Sequence, residues 1–259
     1  MKKKPLILVT NDDGITAPGI RKLIGVMKTI GKVVVVAPNS PQSAKGHAIT
    51  IDTPLHVKQE QSTDADVEEY SCSGTPADCV KLGIKVVLKR KPDLIVSGVN
   101  HGSNAAINVV YSGTMSAAIE GGVKGVPSIG FSLLDYSWDA DFSAVSSYVK
   151  TIAKNVLDNG LPDGVVLNVN FPKRSEQPYR GIKIARQARS NWNEQFEKRV
   201  SPMGKEYYWL AGAFENLDTG NDTDEAALEE NYVSIVPVQI DLTAHQFIKT
   251  LNTWNFKDE

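Results

Sequence analysis

Short apolar segments rich in β-branched residues alternate with segments of helical periodicity along the first two thirds of the chain. The first is PLILVT at residues 5–10, and it is followed by a stretch in which Ile20, Leu23 and Met27 recur at helical spacing before Gly31. KVVVVAP at residues 32–38 then gives a second apolar strand. A strand, a helix and a strand in this order need a crossover connection, which favours a parallel sheet.

The same alternation continues to residue 172. Strands predicted from PDLIVSG, VPSIGFS and GVVLNVNFP alternate with helices predicted from TPADCVKLGIKVVL, SGTMSAAIEGGVKG and DFSAVSSYVKTIAKNVLDNG. Apolar strands without polar alternation are typical of a sheet that helices cover on both faces. The sequence therefore predicts an α/β fold with a Rossmann-like, doubly wound and mostly parallel sheet.

The pattern changes after residue 172. RGIKIARQ, KEYYWLAG and NYVSIVPVQ are short β-type runs, the acidic residues 216–231 are expected to be exposed, and Thr243 is expected to cap a final helix. We predict an α/β core with the functional site over residues 1–172, and a β-rich extension with a final helix over residues 173–259. The extension is not an independent domain, and a β-arm outside a complete sheet favours pairing between subunits.

Composition excludes several classes of partner. The formal net charge of −2 gives no basic field for a nucleic acid polymer, although a small anionic substrate is compatible with it. No apolar run approaches the roughly 20 residues of a membrane-spanning helix, so no membrane partner is expected. Cys72 and Cys79 are the only cysteines and form no metal-type pair, which indicates buried reduced thiols in a cytoplasmic protein.

Small polar residues follow three of the predicted strands. They are Asn11-Asp12-Asp13-Gly14 after the first strand, Asn39 to His47 after the second, and Asn100 to Asn104 after PDLIVSG. Ligands of open α/β sheets bind outside the carboxyl ends of the strands. Because these three loops converge on that edge, we expect the functional site there.

Asp12 and Asp13 are adjacent carboxylates at the end of a buried strand. Their repulsion would be relieved by a divalent cation, and oxygen ligands without a Cys/His cluster favour Mg²⁺ or Mn²⁺ over zinc. Ser43 and Asn100 offer further oxygen atoms on neighbouring loops. The alternative is that one aspartate caps the helix beginning near Ala17 while the other is solvated.

Ser112, Gly113 and Thr114 open a predicted helix. Free N–H groups at a helix N-terminus, together with two hydroxyl groups, are suited to an anion, although an ordinary Ser/Thr cap explains the tripeptide equally. A cation beside an oxyanion site is what phosphoryl transfer to water requires. The chain lacks a Walker-type loop, a G-x-G-x-x-G after the first strand, a G-x-S-x-G elbow and a D-x-D-x-T motif.

Several segments resemble the survival protein SurE family of 5′/3′-nucleotidases. They are VTNDDGITAPGI, VVAPNSPQSAKGHAIT, CSGTPADCVKLGI, PDLIVSGVNHGSNAAINVVYSGTMSAAIEG, YYWLAG and VPVQIDLTAH. The resemblance implies a metal-dependent phosphomonoesterase that hydrolyses nucleoside 5′- and 3′-monophosphates and, as a side activity, short polyphosphate. It implies a homodimer or homotetramer built through exchanged C-terminal segments.

The resemblance also implies residue roles. One Mg²⁺ or Mn²⁺ ion per subunit would be bound by Asp12, Asp13, Ser43 and Asn100, and Ser43 is selected among several serines by the resemblance alone. The substrate phosphate would be bound by Asn104, Ser112, Gly113 and Thr114. Asp12 or Asp13 would be catalytic, as the base for the attacking water or, less simply, as a nucleophile.

The sequence leaves several alternatives open. Ala105, Ala106 and Asn108 depart from the glycine and acidic residues of many relatives. His47 and His245 are either catalytic or surface residues, and Tyr207 to Trp209 either stack on a base or pack between subunits. The rival functions are a nucleotide sensor without turnover, a phosphatase of another substrate class, and a serine hydrolase that uses Ser112 with His47 or His245.

Overall fold

The computed structural model describes residues 4–62 and 64–256, so the outermost parts of the two predicted regions, 1–3 and 257–259, lie outside it. Its strands are β1 (Leu6–Thr10), β2 (Lys32–Pro38), β3 (Val57–Glu60), β4 (Val67–Cys72), β5 (Leu94–His101), β6 (Ser128–Leu133), β7 (Val165–Phe171), β8 (Ile182–Ile184), β9 (Ser190–Val200), β10 (Glu206–Asn216) and β11 (Val233–Gln239). Its helices are α1 (Pro18–Met27), α2 (Pro76–Leu82), α3 (Asn108–Tyr111), α4 (Gly113–Val123), α5 (Ser146–Asn159), α6 (Asp224–Glu229) and α7 (His245–Leu251). A short π-helical segment, Gly83–Val87, continues α2.

Within the described residues nine strands form one sheet in the order β3-β4-β2-β1-β5-β6-β7-β11-β8. The pairs from β4 through β7 are parallel, whereas β3 and β11 run antiparallel to their neighbours β4 and β7. Since β1 pairs with β2 on one side and with β5 on the other, the chain reverses its winding direction between β1 and β5. This confirms the predicted α/β, doubly wound, mostly parallel fold.

Helices cover both faces of the sheet, which explains why the central strands are apolar on both sides. All five residues of β1 are buried. Ile7 and Val9 pack with α1 and α5 in one hydrophobic cluster, whereas Leu8 packs with α2 and α4 on the opposite face. The helix predicted to begin at Thr75 does so through a capping box in which Thr75 and Asp78 each accept a backbone N–H of the other.

The residues after 172 divide between the sheet and an arm outside it. Strands β8 and β11 extend the main sheet, so two of the predicted β-type runs belong to it. Strands β9 and β10 form a separate two-stranded hairpin, and α7 buries none of its residues. We call β9, β10 and α7 the arm. Its exposed apolar side chains include Phe196, Tyr208, Trp209, Leu210 and Phe247.

Two local predictions are wrong. Thr243 does not cap the final helix, because Ala244 occupies the N-cap without a side-chain bond and the Thr243 N–H donates to the Asp241 carboxylate instead. The acidic segment 216–231 is not exposed throughout, since it contains α6. There the fully buried Asp224 accepts hydrogen bonds from the N–H groups of Ala106 and Ala188, both at 2.8 Å.

Both cysteines are buried free thiols, as the sequence predicts. Among the helices of the described chain, none combines the length and the apolar character needed to cross a bilayer.

Candidate metal and phosphate site

The three polar loops meet at the carboxyl edge of the sheet, where β1, β2 and β5 end. Asp12 and Asp13 lie just after β1, and Asn100 is the last residue but one of β5. The loop after β2 is bonded to the loop after β1, because the Gln42 N–H donates to the Asp12 carbonyl at 2.8 Å and the Ile15 N–H donates to the Pro38 carbonyl at 2.8 Å. The site therefore lies where the winding direction reverses, the usual ligand position in such sheets.

The Asp12 carboxylate is buried against the start of α4. Its Oδ1 accepts a short hydrogen bond from the Thr114 hydroxyl, and its exposed fraction is 5%. Gly113 lies directly over the same side chain. A Cβ at this position would be 2.7 Å from the Asp12 Cβ and 2.8 Å from its Oδ2, so only glycine fits here without displacing the carboxylate.

The Asp13 carboxylate is held by a different part of the chain, the end of β5. Its Oδ2 accepts a hydrogen bond from the His101 N–H at 3.3 Å. Neither aspartate caps α1, whose N-cap is Ala17 and which has no side-chain capping bond. The helix-capping alternative for this pair is therefore wrong.

Both carboxylates ionise less readily than an ordinary aspartate. Burial raises the pKa of Asp12 to about 6, the neighbouring Asp13 charge adds to this rise, and hydrogen bonds from the side chain and backbone of Thr114 oppose it. Burial also raises the pKa of Asp13 to about 6, against the His101 hydrogen bond. A cation beside these two buried carboxylates would favour their ionised forms.

Asn100 presents an oxygen at the same edge. Its Nδ2 donates to the carbonyl of Gly102 at 2.9 Å and, more weakly, to that of His101 at 3.3 Å. These two bonds fix the orientation of the amide, and within the described residues nothing donates to its Oδ1. The free acceptor is thus the atom that a hard cation would use.

Ser43 is connected to the candidate site less directly than Asp12, Asp13 and Asn100. It is exposed and lies next to Gln42, and among the described residues its hydroxyl has no hydrogen-bond partner. Its loop is held at the far end by His47, whose Nε2 lies 3.1 Å from Glu120 Oε2. The fold brings together Asp12, Asp13 and Asn100, whereas the Ser43 hydroxyl is connected to them through its loop.

The oxygen atoms of these four side chains fit a hard divalent cation. Two carboxylates, one amide oxygen and one hydroxyl form an all-oxygen set of the kind that Mg²⁺ and Mn²⁺ take. In the described part of the chain, no group of three or more His, Cys, Asp or Glu side chains lies close enough together to hold a metal ion. The proposed ligand set is compatible with this finding, because two of its four oxygen atoms come from the neutral side chains of Ser43 and Asn100.

Helix α4 begins beside Asp12, at Gly113, as the sequence predicts. Ser112 is its N-cap, and the Ser112 Oγ accepts a hydrogen bond from the Met115 N–H at 2.9 Å. The hydroxyl hydrogen of Ser112 is still free to donate to a ligand. The first N–H groups of a helix have no partner within it, so this end of α4 offers donors beside the two carboxylates.

Asn104 is held by an asparagine network that the sequence analysis missed. Its N–H donates to Asn170 Oδ1 at 2.9 Å, its Nδ2 to Ser132 Oγ at 2.7 Å, and its carbonyl accepts from Asn168 Nδ2 at 2.8 Å. One hydrogen of the Asn104 Nδ2 is left for a ligand. The available signal was LNVNF in β7, where two buried asparagines recur at period two in an otherwise apolar strand.

A second missed group surrounds Glu120 of α4. This buried carboxylate contacts Lys81 at 2.7 Å, Lys124 at 3.1 Å and His47 at 3.1 Å. Against its burial, hydrogen bonds from these three partners lower the pKa of Glu120 to about 2. The ion-pair cluster fastens the Ser43 loop to the helix that begins at Gly113.

Neither candidate histidine is bonded to Ser112. His47 contacts Glu120, and the exposed His245 contacts Asp241 at 2.7 Å. A cavity of about 690 Å³ opens beside Ser112 and His47, between α4 and β11, and is lined mainly by aliphatic side chains. The arrangement lacks the serine–histidine hydrogen bond that the serine-hydrolase alternative needs.

Comparisons with known proteins agree with this geometry. The family model described as "Survival protein SurE" matches residues 7–194. The chain is 65% identical over 252 residues to the "5'-nucleotidase SurE" of Flavobacterium psychrophilum, covering 97% of this chain and 98% of the relative. It is 64% identical to the protein of that name from Christiangramia forsetii, with 99% of each covered. The crystal structure of the "Sure Protein" from Aquifex aeolicus superposes with a TM-score of 0.81 at 38% identity, covering 96% of this chain and 98% of that one.

Proposed function

The chain belongs to the survival protein SurE family, and we propose that it is a divalent-metal-dependent phosphomonoesterase that hydrolyses nucleoside 5′- and 3′-monophosphates. The observation that carries the proposal is the position of the buried Asp12. Its carboxylate adjoins a second carboxylate, Asp13, and also lies against Thr114 and Gly113 at the N-terminus of α4. A cation site and an oxyanion site thus share one side chain.

Asp12, Asp13, Ser43 and Asn100 Oδ1 would bind one Mg²⁺ or Mn²⁺ ion per subunit. When bound, the ion neutralises phosphate charge and lowers the pKa of a water molecule at the site. Thr114 holds the Asp12 carboxylate in one orientation, and the His101 N–H does the same for Asp13. The chain thereby fixes both ligands before the ion arrives, which avoids reorganisation during the reaction.

The phosphate oxygens would be bound by the Ser112 hydroxyl, the Gly113 N–H and the free hydrogen of the Asn104 amide. All three residues lie on rigid supports: Ser112 and Gly113 on α4, and Asn104 on its asparagine network. Donors fixed around the phosphate stabilise the charge that shifts onto its oxygens in the transition state.

One of the two aspartates accepts the proton of the attacking water. A carboxylate held within hydrogen-bond reach of that water can act as its general base. We assign no covalent intermediate, since the chain lacks the D-x-D-x-T motif of aspartyl-phosphate enzymes.

The substrate class follows from the relatives, three of which carry the name 5′-nucleotidase at more than 60% identity. We extend it to 3′-monophosphates and, as a side activity, to short polyphosphate, because the site described above contacts only the phosphate. The exposed apolar side chains of the arm support a homodimer or homotetramer, and the two free thiols support a cytoplasmic location.

The test is phosphate release from 5′- and 3′-nucleoside monophosphates and from glucose 6-phosphate, with Mg²⁺, Mn²⁺ or EDTA. We expect metal-dependent turnover with nucleotides preferred. Asp12→Asn should lower kcat/KM about a thousandfold, because roughly 4 kcal/mol of transition-state stabilisation is lost with the cation. The control is Asp158→Asn, an exposed acid on α5, which should behave as wild type.

Each rival function predicts a different outcome. Turnover that is indifferent to EDTA would contradict the metal mechanism and favour a serine hydrolase. Nucleotide binding without turnover would indicate a sensor, and faster hydrolysis of glucose 6-phosphate would indicate a phosphatase of another substrate class.

A further inference from the structure

We propose that Trp138 and Tyr136 form a stacking platform for the nucleobase of the substrate; the proposal rests on the nucleotidase function proposed above. Both aromatic rings lie in the segment that follows β6, at the same carboxyl edge as the aspartates. Trp138 is 61% exposed and Tyr136 is 73% exposed. Exposed aromatic rings at the rim of a ligand site offer flat apolar faces that a planar ligand can cover.

Trp138 is the outermost ring of an ordered aromatic stack. Its ring lies parallel to that of His101, with centroids 5.6 Å apart and planes 9° apart. The His101 ring in turn contacts the buried Phe142 edge to face at 4.9 Å. One face of Trp138 is therefore covered by His101, while the exposure of the residue leaves the other face for a planar ligand.

The stack is connected directly to the proposed metal site. The backbone N–H of His101 donates to Asp13, and the residue before it is Asn100. Tyr136 lies over the next residue, Gly102, where a Cβ would be 2.3 Å from the Tyr136 Cε1. The two rings thus rest on the two residues that follow a proposed ligand, at the same edge of the sheet as the proposed phosphate site.

The segment that carries the rings is well anchored. Asp135 accepts a hydrogen bond from the Ser137 N–H at 3.1 Å and contacts Lys173 at 3.4 Å. The Ser137 carbonyl accepts a hydrogen bond from His101 Nδ1 at 2.8 Å, which fixes the imidazole on which Trp138 stacks. A platform ordered before binding costs little entropy when the base arrives.

The cavity beside Ser112 is the competing location for the base. Aliphatic side chains of α4 and β11 line most of it, and the aromatic ring among its described lining residues is the His47 imidazole, which contacts Glu120. Stacking on an aromatic face tolerates every base, which suits an enzyme that accepts several nucleotides, whereas an aliphatic groove gives no such planar contact. We therefore place the base at Trp138.

The experiment compares a nucleotide with the same phosphate lacking its base. We would measure kcat/KM for adenosine 5′-monophosphate and for ribose 5-phosphate, and take the ratio of the two. In Trp138→Leu the ratio should fall about tenfold, or about 1.4 kcal/mol of lost transition-state binding. Trp138→Phe should retain most of the wild-type ratio, and Tyr136→Leu should lower it by roughly threefold.

The control is Val110→Ala, which alters the exposed wall of the cavity beside Ser112. If the ratio falls in Val110→Ala but not in Trp138→Leu, the base binds in the cavity beside Ser112, and the stacking proposal is wrong. Equal losses for both substrates in Trp138→Leu would also overturn it, since they would mean that the ring acts only through His101 and Asp13. If wild type hydrolyses neither compound, the proposed function is wrong, and the same ratio taken from dissociation constants decides the platform.

Discussion

The carboxyl edge and the arm distribute polar and apolar side chains in opposite ways. At the edge Asp12, Asn104 and Thr114 are buried, and hydrogen bonds hold each of them in place. In the arm Trp209, Leu210 and other apolar side chains are exposed on an isolated hairpin, where few contacts hold them. We propose that both regions are surfaces for something outside this chain. The edge would be organised in advance for a small charged ligand, whereas the exposed aromatic residues of the arm match the composition of a subunit interface.

Gly113→Ala should have the largest effect among the substitutions that sharpen this comparison. The added methyl group would lie 2.7 Å from the Asp12 Cβ and must displace that carboxylate or the start of α4. Since a shift of about 1 Å in a catalytic group costs roughly a hundredfold, we expect kcat/KM to fall by about that factor. The control is Gly25→Ala in α1, where a Cβ meets nothing within 4 Å. Equal activity of the two variants would show that Asp12 need not be rigidly placed.

Cation binding should weaken at acid pH. The pKa values of Asp12 and Asp13 are raised to about 6, so protons occupy these oxygens as the pH falls through 6 and compete with the ion. We expect Mn²⁺ to bind ten- to a hundredfold more weakly at pH 5 than at pH 7.5 by calorimetry. Between β11 and α7, hydrogen bonds from Thr243 and His245 lower the pKa of Asp241 to about 2, so Asp241 contributes nothing to this change.

The same shifts predict the stability of the metal-free protein. A raised carboxyl pKa adds stability that is complete below the unfolded value of 3.8 and is lost as the pH rises through about 6. Asp12→Asn should therefore remove part of this pH dependence of the unfolding free energy in EDTA.

For the cation-binding prediction, an Mn²⁺ affinity that is constant between pH 5 and pH 7.5 would argue that the two carboxylates are not the ligands.

His47→Ala should have a smaller effect, limited to the loop that carries Ser43. Removing the contact with Glu120 frees the far end of this loop, and one hydrogen bond is worth roughly 1 kcal/mol. We expect the dissociation constant for Mn²⁺ to rise about threefold. His245→Ala is the matched control, because it removes a histidine–carboxylate contact in the arm. If both variants bind Mn²⁺ as wild type does, the position of the Ser43 loop does not depend on the contact between His47 and Glu120.

Trp209→Ser should change activity least. The ring is 63% exposed, and its aromatic neighbour is Tyr207 on the same strand, so we expect kcat/KM per subunit to stay within about twofold. Light scattering should instead show weaker subunit association than in Gln195→Ser, a polar control on the paired strand. Unchanged association together with a large fall in Tm would mean that the ring packs within its own chain.

The sequence predicts the core better than its periphery. The apolar runs of β1 and β2 identify buried strands, because burial on both faces restricts nearly every position of such a strand to apolar residues. Strand β9, SNWNEQFEKRV, is not recognisable as a strand, because an exposed hairpin imposes no such constraint on its side chains. The short strands β3 and β4 are not predicted from the sequence for a similar reason, since their polar residues match a loop equally well.

At the candidate site, sequence alone indicates which residues meet but not how they are held. The position of Asp12 and Asp13 after a buried strand predicts that they lie at the carboxyl edge. The glycine contact at residue 113 and the asparagine network around Asn104 join segments far apart in the chain, which no local pattern encodes. That Asp12, Asp13, Ser43 and Asn100 bind a cation stays a prediction.

The hydrogen bonds that hold the two aspartates also set when the site can exist. Asp13 is bonded to a residue 88 positions later in the chain, and Asp12 to one 102 positions later. During synthesis the two carboxylates leave the ribosome long before their partners, and closing loops of this length must wait for the chain to lengthen. A fragment that ends before Thr114 carries both acids without their full support. The two aspartates are therefore supported once the first half of the protein has been made, whereas Asn104 must wait for Asn168 and Asn170 in β7.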